Sequence, residues 1–236
     1  MKKILLVHGW SYKFYNSSKL INPWMHRAEF LQLLEKHYHV DIIRLPGFCG
    51  ESEPIVNSWS TEDFGNWLFQ YIQHLGEKYD YLIGYSFGGP VIVHASLKLP
   101  NAIPCILVSP ALKRADSQKS RIAHFFTWFP ARIKNILSNI FLYFASPYYR
   151  FGTPFLRKSY KRVVRENSIH VVNELSQKTS ITCIYGSKDT ATPVSMIDHY
   201  VSSNVAIILI PEGGHNIGGT HPEKIFQTIK KITDEI

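Results

Sequence analysis

Tyr81-Leu82-Ile83-Gly84-Tyr85-Ser86-Phe87-Gly88-Gly89 starts as an apolar β-type run and ends in glycines that open the helical pattern of Pro90 to Leu97. Within it, Gly84-x-Ser86-x-Gly88 sets a serine on the turn between strand and helix. Such a turn is sharp and strained, and glycine is wanted on both sides because side chains there would collide with the neighbouring strand and helix. The serine oxygen is then pushed out over the edge of the sheet, where the N–H groups of the following helix favour negative charge. A glycine-rich turn with no chemistry could carry the same letters, so the rest of the chain must decide between the two.

Outward from this stretch, short buried runs recur at Ile4 to Val7, Val40 to Leu45, Tyr81 to Ile83, Cys105 to Val108, Ile181 to Tyr185 and Val205 to Ile210. They predict six strands. Stretches of helical period lie between most of them, at Trp24 to His37, Thr61 to Leu75, Pro90 to Leu97, Val194 to Val201 and Pro222 to Ile232. Alternating strand and helix implies an α/β fold, a mostly parallel sheet of about six strands with helices on both faces. The alternation breaks between Ser109 and about His170, a stretch too long for a loop. Ile133, Ile136, Leu137, Ile140, Phe141 and Phe144 follow helical spacing there, between Pro130 and Pro147, with Pro154 beyond. The expected division is a core of residues 1–110 and 171–236 with a helical lid inserted at 111–170.

A serine hydroxyl needs a base to take its proton, and histidine has a suitable pKa. Of eleven histidines, His215 follows the last strand in the glycine-containing loop Pro211-Glu212-Gly213-Gly214-His215. His26, His37, His39, His74 and His94 fall in or beside helices, and His221 stands before Pro222 as a capping residue and second candidate for the base. The imidazole in turn needs a carboxylate to hold its tautomer. Asp189, in Tyr185-Gly186-Ser187-Lys188-Asp189, follows the fifth strand, where it could equally be a turn or N-cap aspartate. Chain order favours the catalytic role, with Ser, Asp and His each following a separate strand. Two backbone N–H groups should receive an oxyanion: Phe87, next to the nucleophile, and Trp10, in His8-Gly9-Trp10 after the first strand. Gly9 would let that backbone come close, and His8 is expected to hold the loop.

The 236 residues suit one domain, and 45% hydrophobic with 19% charged residues is an ordinary globular balance. Met1-Lys2-Lys3 followed by Ile4-Leu5-Leu6-Val7 stops at His8-Gly9, short of a signal-peptide core. No run approaches the roughly 18 apolar residues that span a bilayer. Three cysteines, Cys49, Cys105 and Cys183, have no metal spacing, and their odd number leaves a thiol unpaired. A soluble, cytoplasmic protein is expected, with no metal or organic cofactor.

With these segments in place the chain resembles the α/β-hydrolase fold proteins of the lidded type along its whole length. Leu45-Pro46-Gly47-Phe48 followed by Gly50-Glu51-Ser52 resembles that family's P-G-x-G-x-S turn, with Cys49 inserted, and His221-Pro222-Glu223 resembles the start of its last helix. With Ile4 to Val7 read as the family's third strand, its first antiparallel hairpin is expected to be absent, and Ser11 to Asn22 is longer than expected. The resemblance implies acyl transfer by Ser86, Asp189 and His215. Dehalogenases and epoxide hydrolases of this fold are less similar, because they carry aspartate where this chain has Ser86.

The charge of +8 is concentrated in one place. Residues 111–170 hold twelve basic side chains against Asp116 and Glu166, so the lid carries +10 and the remainder −2. The basic lid residues include Arg121, Arg132, Lys134, Arg150, Arg157, Lys158, Lys161 and Arg162, among aromatics such as Phe125, Phe126, Trp128 and Phe144. A solvated helix face would look the same, but a cationic surface beside a pocket also steers anionic partners. In the family this combination, with H-G-W and G-x-S-x-G-G, resembles the pimeloyl-acyl-carrier-protein methyl ester esterases of biotin synthesis. That resemblance implies a carboxylesterase whose lid docks an acidic acyl carrier protein. The alternatives are a lipase or lysophospholipase on an anionic membrane surface, a non-hydrolytic lyase of the same fold and a non-catalytic binding module. Nucleic acid is not expected, since no recognition motif accompanies the charge.

Overall fold

The computed structural model describes residues 1–15, 17–113 and 146–234. Six strands, β1 (Lys3–Val7), β2 (His39–Ile43), β3 (Tyr81–Tyr85), β4 (Cys105–Val108), β5 (Ile181–Gly186) and β6 (Val205–Ile210), form one sheet in the order β2-β1-β3-β4-β5-β6. Every pairing is parallel. The apolar runs of β1, β3, β4 and β5 are buried on both faces, as a covered parallel sheet requires, while the edge strands β2 and β6 are partly exposed.

Alternation along each strand divides the core in two. Leu5, Val7, Leu82 and Leu107 face one side, with Phe64 and Leu68 of α2 (Thr61–Leu75), Val91 and Ile92 of α3 (Gly88–Lys98) and Val172 of α6 (Ile169–Leu175). Ile4, Leu6, Ile83 and Ile106 face the other, with Phe30 and Leu34 of α1 (Ala28–Glu35) and Ile225, Phe226 and Ile229 of α8 (Pro222–Asp234). From β1 the chain moves outward to β2 and then returns past β1 to β3. The C-terminal ends of β1 and β3 therefore flank a point where strand order reverses, which is where ligands bind in open α/β sheets.

Helix α2 starts as its sequence dictates. Ser60 Oγ accepts from the Asp63 N–H at 3.0 Å and the Ser60 N–H donates to Asp63 Oδ2 at 2.7 Å, a reciprocal capping box, and Gly76 ends the helix at φ 64°. We expect Ser60→Ala to lower unfolding stability by about 1–2 kcal/mol in a urea titration, since it orphans a helical donor.

Two elements differ from expectation. Val194 to Val201 is a single 3-10 turn, Val194–Met196, rather than a helix. Ile197, at φ −130°, breaks the path, so the apolar spacing buries Ile197 through successive tight turns. The Trp24 to His37 pattern is α-helical only over Ala28–Glu35, after a 3-10 turn at Met25–Arg27, because Arg27 leaves α-helical geometry at φ −136°. Of Ser11 to Asn22, the long segment after H-G-W, part packs inward while Ser18, Lys19 and Leu20 stay exposed. Phe14 and Tyr15 are buried, the Cys49 N–H donates to the Phe14 carbonyl at 2.8 Å and the Ile21 N–H to the Cys49 carbonyl at 3.1 Å. These bonds hold the extra residue Cys49 in a left-handed conformation, φ 56°, between Gly47 and Gly50.

Between β4 and β5 lie α4 (Pro147–Arg150), α5 (Pro154–Val163) and α6. Phe155, Leu156 and Tyr160 of α5 are buried, Phe155 against Trp59 and Tyr160 against Trp10. The Thr61 N–H donates to Glu166 Oε2 at 2.8 Å, which ties the chain after α5 to the start of α2. The periodic stretch Ile133 to Phe144 lies outside the described residues, as do Arg121, Phe125, Phe126, Trp128, Arg132 and Lys134.

Candidate active site

Ser86 stands one residue beyond β3 in left-handed backbone geometry, φ 52°. For a residue with a Cβ this is strained, and the surroundings impose it. The Ser86 N–H donates to the Val108 carbonyl at 2.9 Å, and its own carbonyl accepts from Gly89 at 3.0 Å and Ala111 at 3.1 Å. The flanking glycines are forced by contact between backbones. A Cβ on Gly84 would lie 2.5 Å from the Gly88 carbonyl oxygen, and one on Gly88 2.3 Å from that of Val7.

Asp189 and His215 come from the loops after β5 and β6. Those loops are laced together by the Ser187 N–H to the Ile210 carbonyl at 3.0 Å and the Lys188 N–H to the Gly213 carbonyl at 2.8 Å. His215 Nδ1 is 2.9 Å from Asp189 Oδ2, and its Nε2 is 3.1 Å from Ser86 Oγ. With Nδ1 facing a carboxylate it carries the proton, which leaves Nε2 as an acceptor for the serine O–H. Behind the ring, the Tyr85 hydroxyl donates to the His215 carbonyl at 2.7 Å, and the Arg27 guanidinium lies 4.0 Å over the Tyr85 ring. Strand β3 thus supplies the serine and also anchors the histidine loop.

The Asp189 side chain has no solvent exposure. Its Oδ1 accepts from the N–H groups of Ala191 and Thr192, both at 2.9 Å, and its Oδ2 accepts from Thr192 Oγ1 at 2.9 Å. Burial, the largest single influence, pushes its pKa upward, but bonds from His215 and Thr192 with the attraction of the imidazole outweigh it and hold the carboxyl below its ordinary range. It is an ionised, fully bonded anion. The His215 ring is 33% exposed, so one edge reaches an incoming molecule.

The loop after β1 closes the other side of the serine. A Cβ on Gly9 would stand 3.1 Å from Ser86 Cβ, so any larger residue would press on the nucleophile. Trp10 follows, its indole packed edge-on against Phe87, Phe48 and Phe64 and its Nε1 donating to the Tyr15 hydroxyl. Phe87 precedes the first turn of α3. Phe87 thus adjoins Ser86 along the chain, and Trp10 follows Gly9, whose backbone packs against Ser86. His8 is buried, with Nδ1 2.8 Å from the Gly9 carbonyl and Nε2 accepting from the Leu45 N–H at 3.1 Å. Burial lowers its pKa to about 4, so it stays neutral and holds two loops. His221 Nδ1 lies 2.9 Å from Thr220 Oγ1 and its carbonyl accepts from Ile225 at 3.1 Å, a local role between α7 (Ile217–Thr220) and the start of α8.

Of the described basic residues of the 111–170 stretch, Arg150 lies on α4 and Arg157, Lys158, Lys161 and Arg162 on α5, while Lys113, its Nζ 4.3 Å over the Tyr200 ring, precedes both helices and Arg165 follows α5. Arg162 pairs with Asp63 and Glu166, each at 3.5 Å, Lys158 donates to Asn57 at 3.1 Å and Arg157 to the Gly152 carbonyl at 2.6 Å. Arg150 ends α4 and Lys161 lies in the last turn of α5. Among the described residues, no group of three or more His, Cys, Asp or Glu could hold a metal ion, and no helix is long and apolar enough to cross a membrane. Cys49, Cys105 and Cys183 are buried free thiols. Thr192 and Tyr85 also belong to the site, although neither was among the residues expected there from the sequence. Thr192 was open to recognition from its place three residues after Asp189, where a hydroxyl in an Asp-led turn folds back on the carboxylate.

The fold is similar to that of a thermophilic esterase from Thermogutta terrifontis, 19% identical, with a TM-score of 0.67 over 100% of this chain and 90% of that one. It is similar to an esterase from Exiguobacterium antarcticum, 14% identical, TM-score 0.68, covering 99% and 92% of the two chains. A bromoperoxidase from Bacillus anthracis is as similar, 15% identical, TM-score 0.68, covering 99% and 92%. Their differing names show that this fold carries more than one chemistry, so function has to be argued from the site. No curated protein matches the chain in sequence. The alpha/beta hydrolase family matches residues 4–228, nearly the whole length, and the chain belongs to that family.

Proposed function

We propose that this protein is a serine carboxylesterase. The reading is carried by one observation, the unbroken path from Asp189 Oδ2 through His215 to Ser86 Oγ, with links of 2.9 and 3.1 Å. Ser86 Oγ attacks the ester carbonyl carbon as His215 Nε2 takes its proton. The oxyanion that forms is received by the N–H groups of Trp10 and Phe87. Collapse expels the alcohol, protonated by His215, and leaves an acyl-serine. Water, deprotonated by the same nitrogen, then releases the acid and restores the serine. Asp189 stays ionised throughout and stabilises the imidazolium.

For the substrate, we propose an acyl chain borne by an acidic carrier, such as a carrier-linked methyl ester of the kind cleaved in biotin synthesis. The support is the +10 charge of residues 111–170, with Arg150, Arg157, Lys158, Lys161 and Arg162 on α4 and α5. An ester panel of graded chain length, free and carrier-linked, tests both levels. Turnover is expected on short free esters, with a higher kcat/KM on carrier-linked ones that falls as salt is raised. Equal kcat/KM on free and carrier-linked esters would remove the carrier, and binding of the protein to anionic vesicles but not to carrier would favour a lipid surface. Failure to react with a fluorophosphonate while folded would leave a binding module.

A further inference from the structure

We propose that Thr192 is a positioning residue of this site, one that locks the Asp189 carboxylate and the His215 ring into the alignment in which Nε2 faces Ser86; the proposal rests on the serine-hydrolase reading above. Thr192 is buried, 4% exposed, and its hydroxyl lies 2.9 Å from Asp189 Oδ2, 3.2 Å from His215 Nδ1 and 3.2 Å from the Ser109 carbonyl. Its backbone N–H donates to Asp189 Oδ1 at 2.9 Å.

The hydroxyl has one proton and two neighbouring acceptors, Asp189 Oδ2 and the Ser109 carbonyl, while His215 Nδ1 carries a proton of its own. The proton goes to Oδ2, the shortest contact and the ionised acceptor, where a hydrogen bond is strongest. A lone pair of Oγ1 then faces the His215 Nδ1–H, which is shared between Oδ2 and Oγ1. A single bond from Nδ1 to Oδ2 would act as a hinge about which the imidazole could tilt, and the second acceptor restricts that tilt. The same residue supplies two of the donors that satisfy Asp189, one to each carboxylate oxygen.

Ser109 closes the remaining side. It is buried at the end of β4 in left-handed geometry, φ 46°, and its N–H donates to the Ile184 carbonyl at 2.7 Å. The carbonyl next to Thr192 is therefore fixed by the sheet itself. Threonine thus links two strand ends by hydrogen bonds, β5 through Asp189 and β6 through His215, with its hydroxyl lying against the end of β4 at the Ser109 carbonyl.

The test compares Thr192→Ser, Thr192→Ala and Thr192→Val with wild type and Ser86→Ala in the full chain, using a short-chain p-nitrophenyl ester and a fluorophosphonate. Serine and alanine differ by the hydroxyl alone, so loss of the methyl is common to both and that pair decides even if the valine variant does not fold. We expect the serine variant to keep kcat within about 3-fold of wild type, and the alanine and valine variants to lose about 10- to 100-fold, the weight of one hydrogen bond to a charged group. KM should stay within about 2-fold, because Thr192 does not touch substrate, and fluorophosphonate labelling should slow by the same factor as kcat. Equal kcat in the serine and alanine variants, with turnover still dependent on Ser86, would overturn the role of Thr192 alone. Turnover or labelling that survives Ser86→Ala would overturn the hydrolase reading and this proposal with it.

Discussion

Replacing Ser86 with alanine is expected to lower kcat by roughly 10³- to 10⁶-fold, because the nucleophile is lost while the binding site and oxyanion donors remain. The fold should persist. The backbone bonds of Ser86 to Val108, Gly89 and Ala111 do not involve the side chain, and alanine is strained at φ 52° to about the same degree as serine. Ser86→Gly would be equally inactive but more stable than the alanine variant by about 1 kcal/mol, since glycine occupies left-handed geometry without strain. Steady-state kinetics with fluorophosphonate labelling, set beside urea unfolding of both variants, checks the pair. Residual turnover of a tenth of wild type in the alanine variant would sink the mechanism. A glycine variant no more stable than alanine would mean that the elbow is unstrained.

The same geometry explains what the sequence made legible. Gly84 and Gly88 were expected from collision alone, and their backbones do meet the opposing helix and strand at distances that no Cβ could occupy. The six strands were readable because a sheet covered on both faces needs uninterrupted apolar runs, and β4 and β6 match their expected bounds. Helices with one buried face were equally plain where caps framed them, as Ser60 and Gly76 frame α2. Val194 to Val201 misled because burial of every third or fourth residue is also met by tight turns, and only backbone angles separate the two. The site shows the same division. Ser86, Asp189 and His215 follow strand ends and could be placed by chain order. Thr192 was legible only in part, through its local bonds to Asp189 three residues before it, while its contact with His215 across 23 residues and that of Tyr85 across 130 leave no local pattern.

Arg27 and Tyr85 illustrate what such contacts add. The arginine lies over the face of the tyrosine, whose hydroxyl donates to the histidine loop. The nucleophile and the base are thus fixed to one another from below the sheet edge as well as through their own hydrogen bond. Preorganisation of this kind lets the proton move without the site rearranging.

Asp189→Asn is the sharpest test of how that preorganisation works, with an expected loss of about 10⁴-fold in kcat. Oδ1 faces two backbone N–H groups, from Ala191 and Thr192, so the amide oxygen must take that side. The amide nitrogen then replaces Oδ2 and donates toward His215 Nδ1. An imidazole that accepts at Nδ1 carries its proton on Nε2, and a protonated Nε2 cannot take the proton from Ser86. The geometry is kept and the tautomer is reversed. A pH effect on stability accompanies it. Because the folded pKa of Asp189 lies below its ordinary value of 3.8, the ionised carboxylate contributes stability that is fully present above that value. That contribution is lost as pH falls through the folded pKa. Wild type should therefore lose stability in this acid window more steeply than Asp189→Asn, which has no carboxylate to protonate there. Denaturant unfolding of both proteins from pH 6 down to about pH 3 measures the difference. Parallel acid slopes would show that the Asp189 carboxylate is not held ionised by its partners, and the argument for the tautomer would fall with it.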